Sequence, residues 1–194
     1  MPETQRWEID GTRSKLGFRL RHLVVSEIAG AFARWGGIVS LDAEHANRSQ
    51  VAIWVDLASV DTGSEERDAQ LRSSEFFDVA RFPRAQFTST DIALRADGEA
   101  TVAGQLRLHG TTELVEIAVR EIRSWIDDTG QMRAGYDMHG SIDRQAFGLH
   151  WNQDLDVGGV VVGDRVELTA SIEVVRAPEA TRAAGPDTAA AGAP

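Results

Sequence analysis

The most pointed chemistry in the chain sits in one short run, Thr62-Gly63-Ser64-Glu65-Glu66-Arg67-Asp68-Ala69-Gln70-Leu71-Arg72. Arg67 and Asp68 could act as a catalytic or head-group-binding pair. The plainer reading is a clip that fixes a helix to a strand. Arg72 and Arg144 are the candidates for holding a polar or anionic head group, since a guanidinium grips phosphate bidentately. The five histidines are His22, His45, His109, His139 and His150, and none has the H-E-x-x-H spacing of a zinc helix. Three on neighbouring strands could still converge on a metal or haem, but scattered histidines are usually structural or solvated, so no metal is expected. There is no G-x-S-x-G elbow. Gly158-Gly159 reads as a turn without Walker or Rossmann form. Carboxylates are abundant, yet no pair is marked by context as an acid–base dyad. No catalytic residue is assigned and no cofactor is expected.

The elements that must position these residues follow a period of two. Leu16, Phe18, Leu20 and His22 share one face of a strand; Val51, Ile53, Val55 and Leu57 share another. Ala100, Val102, Gly104, Leu106 and Leu108 do the same. The clearest case is Val166, Leu168, Ala170, Ile172 and Val174, alternating with Glu167, Thr169, Ser171 and Glu173. Less regular strands fit Trp7–Asp10, Ile28–Asp42, Ala85–Leu94, Thr112–Ile126 and Gln131–Asp143. Turns fall at Asp97-Gly98, His109-Gly110 and Thr129-Gly130. Such alternation means antiparallel sheet with one wet face, and that many half-buried strands must close on themselves or stack in two layers. The run from Thr62 to Arg72 breaks the pattern and reads as a helix, capped by Thr62 with Glu65 or by Ser64, with an Asp68–Arg72 pair along it. Phe76, Phe77, Phe82 and Phe87 follow closely, as a lid over a β-structure would require.

The chain has 194 residues, 30 of them acidic against 20 basic, for a net charge of −10. That balance disfavours nucleic acid and anionic membrane surfaces as partners. With no cysteine there is no disulfide framework, thiolate metal site or thiol nucleophile. No apolar run approaches a membrane span, so stable membrane insertion is not expected. The N-terminus lacks the apolar core of a signal peptide, and the expected location is cytoplasmic, or periplasmic if a leader has been removed. The sequence divides into a flexible stretch 1–6, a β domain 7–176 and an Ala/Pro-rich tail 177–194 expected to be disordered. A homodimer is compatible with it.

Several segments resemble the YceI family, also called polyisoprenoid-binding proteins. The resemblance is carried by Ser59-Val60-Asp61-Thr62-Gly63, then Arg67-Asp68-x-x-Leu71-Arg72-Ser73-x-x-Phe76-Phe77-Asp78, then Phe82-Pro83 and Phe87. Trp7-Glu8-Ile9-Asp10, Gly30-x-Phe32-x-x-Trp35-x-Gly37, Gly104 to Thr112, and Asp143-Arg144-x-x-Phe147-Gly148 agree with it. Gln70 and Glu113 depart from it, standing where the family often has histidine and a basic residue. The resemblance implies an all-β, lipocalin-like antiparallel barrel of about eight strands with one short helix as lid. It implies an apolar interior that holds, stores or carries a long isoprenoid lipid, such as a polyprenyl chain or an isoprenoid quinone, without catalysis. The alternatives are an enzyme acting on a lipid or quinone in the same cavity, and a β-sandwich interaction module. Phe18, Leu20, Phe32, Ile53, Phe76, Phe87, Leu106, Leu168, Ala170 and Ile172 are the expected cavity lining. Periodicity alone favours the same residues filling a dry core, and it is the resemblance that points to a cavity.

Overall fold

The computed structural model describes residues 5–22, 26–42, 45, 48–95, 98–150 and 162–178. The tail beyond 178 and the Gly158-Gly159 turn lie outside them. The strands are β1 (Gln5–Ile9), β2 (Lys15–His22), β3 (Ser26–Phe32), β4 (Trp35–Leu41), β5 (Gln50–Asp56), β6 (Val60–Asp61), β7 (Arg84–Leu94), β8 (Glu99–Leu108), β9 (Thr111–Ile126), β10 (Met132–Asp143) and β11 (Val162–Arg176). The helix α1 spans Glu65–Arg72.

These strands close into one antiparallel barrel of eight staves. Closure runs through β11, which pairs with β10 on one side and with both β1 and β2 on the other. Three staves are bent. β1 and β2 lie end to end beside β11, β4 and β3 continue the next stave, and β5 and β6 the third. The expected single strand Ile28–Asp42 is therefore two. It breaks at Ala33-Arg34, whose N–H groups donate to Ser59 O (3.0 Å) and Ser59 Oγ (2.9 Å). Ser14 patches the first bent stave in the same way: its hydroxyl accepts from Glu173 N at 2.9 Å. At these two breaks a hydroxyl replaces a missing ladder partner, which keeps backbone groups satisfied.

The ends of the barrel differ. At one end α1, the His109-Gly110 turn and the turn Arg144–Phe147 cover a core of Leu57, Val60, Phe77, Leu108, Ile142 and Phe147. His109 and Gly110 both take positive φ, 50° and 80°. This two-residue hairpin matches the twist of β8 and β9. At the far end Trp7, Ala134 and Val174 pack together. Beside them Arg133 donates to Asp127 (2.6 Å), Glu173 (2.7 Å) and Asp10 (2.9 Å). Hydrogen bonds from Thr12 and from Arg133 hold the Asp10 carboxyl below its ordinary value. Arg133, followed by Thr129, does the same for Asp127.

Candidate functional site

The barrel encloses a cavity of about 890 Å³, at the upper end of the range for small-molecule sites. Alternation along the strands delivers its wall: Leu16, Phe18 and Leu20 from β2, Val51, Ile53 and Val55 from β5, Val166, Leu168 and Ile172 from β11. On β7 a bulge between Ser89 and Asp91 resets the phase, so that Phe87 and Ile92 both face inward despite their odd spacing. Two glycines make room for the rings. A Cβ on Gly104 would stand 2.5 Å from the Phe87 ring, and one on Gly30 2.5 Å from Phe18.

The helix side of the cavity is built by aromatic stacking. Phe76 meets Phe77 edge-on (centroids 5.1 Å apart), Phe77 leans on Phe32 (6.2 Å) and Phe32 on Phe18 (5.5 Å). All four rings border the cavity. Ser64 caps α1 by accepting from Arg67 N, so of the two expected caps it is Ser64 that forms. The Asp68–Arg72 pair is not made. Asp68 instead accepts from Thr62 N (2.9 Å) and Thr62 Oγ1 (2.6 Å). Arg67 donates to Thr62 Oγ1 (2.8 Å) and Thr62 O (2.9 Å). The two residues clip the helix to the end of β6, while Arg67 also touches the cavity.

Nine of the ten apolar residues expected to line a cavity border this one: Phe18, Leu20, Phe32, Ile53, Phe76, Phe87, Leu106, Leu168 and Ile172. Ala170 does not. It is packed against Ile117, Met138 and Leu16, where a small side chain fills its space rather than leaving a void. The head-group candidates are both engaged by the main chain. Arg72 lies off the cavity and donates to Ala58 O (2.9 Å) and Val60 O (2.7 Å). Arg144 borders it but is 1% exposed and donates to Leu149 O, Gly163 O and Asp164 Oδ1 (2.6, 3.0 and 2.9 Å). It ties the β10–β11 connection to β11.

Polar groups that no motif in the sequence marks also face the interior. Glu121 and Tyr136 sit opposite each other on β9 and β10 and both line the cavity toward its far end. The Tyr136 hydroxyl donates to Glu121 Oε2 at 3.4 Å. Burial, then the adjacent carboxylate, pushes the phenol up to about 12. The available signal was an inward position on β10 occupied by the only tyrosine. Gln5, Asp42 and Ser49 join them at this end, and Ser64, Glu66, Arg67 and Gln70 at the helix end. Among the described residues no three His, Asp or Glu side chains converge in a metal-binding group, and no helix is long and apolar enough to cross a membrane.

Fold and site together define a small closed β-barrel with a hollow apolar interior. The model of the YceI-like domain matches residues 7–174, and the chain belongs to that family. A UPF0312 protein of Yersinia enterocolitica is 36% identical over 168 residues, covering 87% of this chain and 84% of that one. Protein YceI of Salmonella newport is 34% identical over 86% of this chain and 84% of its own. Among solved structures, Burkholderia cenocepacia BcnA superposes with a TM-score of 0.74 at 24% identity, covering 85% of this chain and 98% of that one. A Saccharophagus degradans structure, described as a polyisoprenoid binding domain implicated in plant cell wall breakdown, gives 0.63 at 17% identity over 88% and 98%. Both likenesses establish the fold.

Proposed function

We propose that the protein binds a long isoprenoid lipid, a polyprenyl chain or an isoprenoid quinone, inside the barrel, and stores or carries it without chemical change. The observation that carries this reading is the 890 Å³ interior with its predominantly aliphatic and phenylalanine wall. Family membership and the polyisoprenoid-binding description of the Saccharophagus neighbour support the ligand class. Each buried methylene contributes about 0.8 kcal/mol, so roughly ten give about 8 kcal/mol before the costs of association. No polar contact is needed for affinity on that scale, which agrees with Arg72 and Arg144 being occupied by backbone carbonyls. Polar groups at either end then orient the head rather than hold the chain.

The test is a titration of lipid-free protein with isoprenoid quinones of increasing tail length, following intrinsic tryptophan emission and quinone absorbance together. Binding should saturate at one lipid per barrel and tighten with each isoprene unit, with no change in the quinone spectrum over hours. Steady conversion of the quinone would make the protein an enzyme. Affinity independent of tail length would remove the cavity from the binding.

A further inference from the structure

We infer that the cavity selects isoprenoids whose head is uncharged and carries an acceptor oxygen, an alcohol or a quinone, over the phosphates and diphosphates of the same chain, and that Tyr136 and Glu121 set this choice. The inference rests on the isoprenoid reading above for the chain and adds to it the class of head group.

Charge on the wall disfavours the anion. Among the described residues the charged side chains bordering the cavity are the carboxylates Asp42, Glu66 and Glu121 and the guanidiniums Arg67 and Arg144; no lysine or histidine joins them. Both guanidiniums are committed to the fold. Arg67 donates to Thr62 Oγ1 and Thr62 O and adjoins Glu66. Arg144 donates to Leu149 O and Gly163 O and pairs with Asp164 at 2.9 Å. A phosphate needs a guanidinium fork or an ammonium group turned toward it. Turning either arginine would undo the clip of α1 or strand a buried carbonyl. The far end of the wall carries Asp42 and Glu121 and no basic residue. Asp42 accepts from His45 N at 2.9 Å, with the His45 ring 3.6 Å away. Arg133, on β10 ahead of Tyr136, is already shared by Asp10, Asp127 and Glu173. The chain as a whole carries −10.

What the far end does offer is donors. The Tyr136 hydroxyl reaches Glu121 Oε2 only at 3.4 Å, long for an O–H donor, so a ligand oxygen placed closer would take its proton as the better acceptor. Burial and the Glu121 carboxylate push the phenol up to about 12, so that proton is present throughout the physiological range. One layer behind the wall, Trp7 packs in the same cluster as Tyr136, and its buried indole N–H finds no acceptor among the described residues. The unmet polar demand of this end is for an acceptor, which a carbonyl or hydroxyl oxygen supplies without bringing charge. A hydroxyl head can in addition donate to Glu121.

The experiment compares ligands that share a tail and differ in the head: geranylgeraniol, geranylgeranyl diphosphate and a quinone with a geranylgeranyl side chain, with squalene as an isoprenoid that has no head. Binding to the lipid-free full chain is followed by tryptophan emission at low salt and about pH 8, where the phosphates are fully ionised. The wild type should favour the alcohol and the quinone over the diphosphate by at least about tenfold, and added salt should narrow that gap. Glu121→Gln should narrow it by about threefold at low salt, Glu121 being exposed and therefore screened at high salt. Tyr136→Phe should weaken the alcohol and the quinone by about three- to tenfold and leave squalene unchanged, a split that a lost packing contact would not produce. A wild type that binds the diphosphate as tightly as the alcohol overturns the inference. So does a Tyr136→Phe variant that weakens squalene equally, or a Glu121→Gln variant that keeps the full gap. Hexadecanol and hexadecyl phosphate separate this outcome from the fate of the isoprenoid reading. Straight chains that bind as well as branched ones, with the alcohol still favoured, refute the isoprenoid and leave the head-group selection standing. Geranylgeraniol and its diphosphate binding equally, and both better than the straight chains, refute the selection alone. Binding of none of these ligands refutes both.

Discussion

Two alanine-to-tryptophan substitutions should change stability in opposite directions, because one alanine faces the cavity and the other faces packed side chains. Ala100 lines the cavity next to Leu94 and Val119, its partners on β7 and β9. An indole there enters open space. A buried tryptophan covers about 150–250 Å², worth up to about 4–6 kcal/mol at 25 cal/mol per Å². The wall beneath it is already half-buried and the side chain loses rotamer freedom, so a net gain of about 1–3 kcal/mol is expected. Ala170 is 8% exposed and touches Ile117 and Met138, so an indole there must displace neighbours at a cost of about 1–3 kcal/mol or more. For a domain of this size each kcal/mol moves the melting temperature by about 2–4 °C. Differential scanning calorimetry of lipid-free protein should therefore show Ala100→Trp melting higher and Ala170→Trp lower. Lipid capacity of Ala100→Trp should fall in parallel. If Ala100→Trp instead destabilises as much as Ala170→Trp, the interior is a packed core with no room for a lipid.

Arg144→Ala should cost about 3 kcal/mol or more, because it empties a buried side-chain site and strands the buried carbonyl of Leu149 and the half-buried one of Gly163. Arg144→Lys should not rescue it, and a melting temperature within a degree or two of wild type would contradict this. Asp10 and Asp127 have carboxyl groups held below their ordinary value, so their stabilisation is present above about pH 4 and is lost as pH falls through the depressed folded values. Arg133→Gln should melt lower at neutral pH and show a shallower loss of stability on acidification; an unchanged acid slope would argue against the network. The single tyrosine makes its own titration readable: absorbance near 295 nm should report Tyr136 ionising at about 12. Glu121→Gln should bring that value toward 10, and an ordinary value in the wild type would place the phenol in water.

Much of the barrel was legible because its chemistry is periodic. Val166 to Val174 alternates without a fault, and β11 follows it along its length. The lid was legible because Phe76 and Phe77 trail a capped helix. What stayed hidden depends on partners distant in sequence. Nothing local announces that Ser59 will satisfy Ala33 and Arg34 and so split one strand into two. Nor does Arg144 reveal that its donors are spent on Leu149 and Gly163 rather than left for a ligand. The Ser89–Asp91 bulge inverts the phase of β7 midway, which made that strand look irregular. A small inward residue such as Ala170 reads the same in sequence whether it borders a void or packs in a cluster with Ile117 and Met138, as it does here. Glu121 lines the cavity while staying solvent-exposed, so its place on the inner face follows from strand phase and not from any polar signal in the sequence.

Whether the barrel holds an isoprenoid is read by organic extraction of the purified full chain followed by mass spectrometry. The extract should contain a ladder of C5-spaced species, or one defined member of it, approaching one molecule per chain, and should lose it in Ala100→Trp. An extract without isoprenoid from protein expressed in cells that make one, or straight-chain lipids bound in the same amount by wild type and Ala100→Trp, would contradict it.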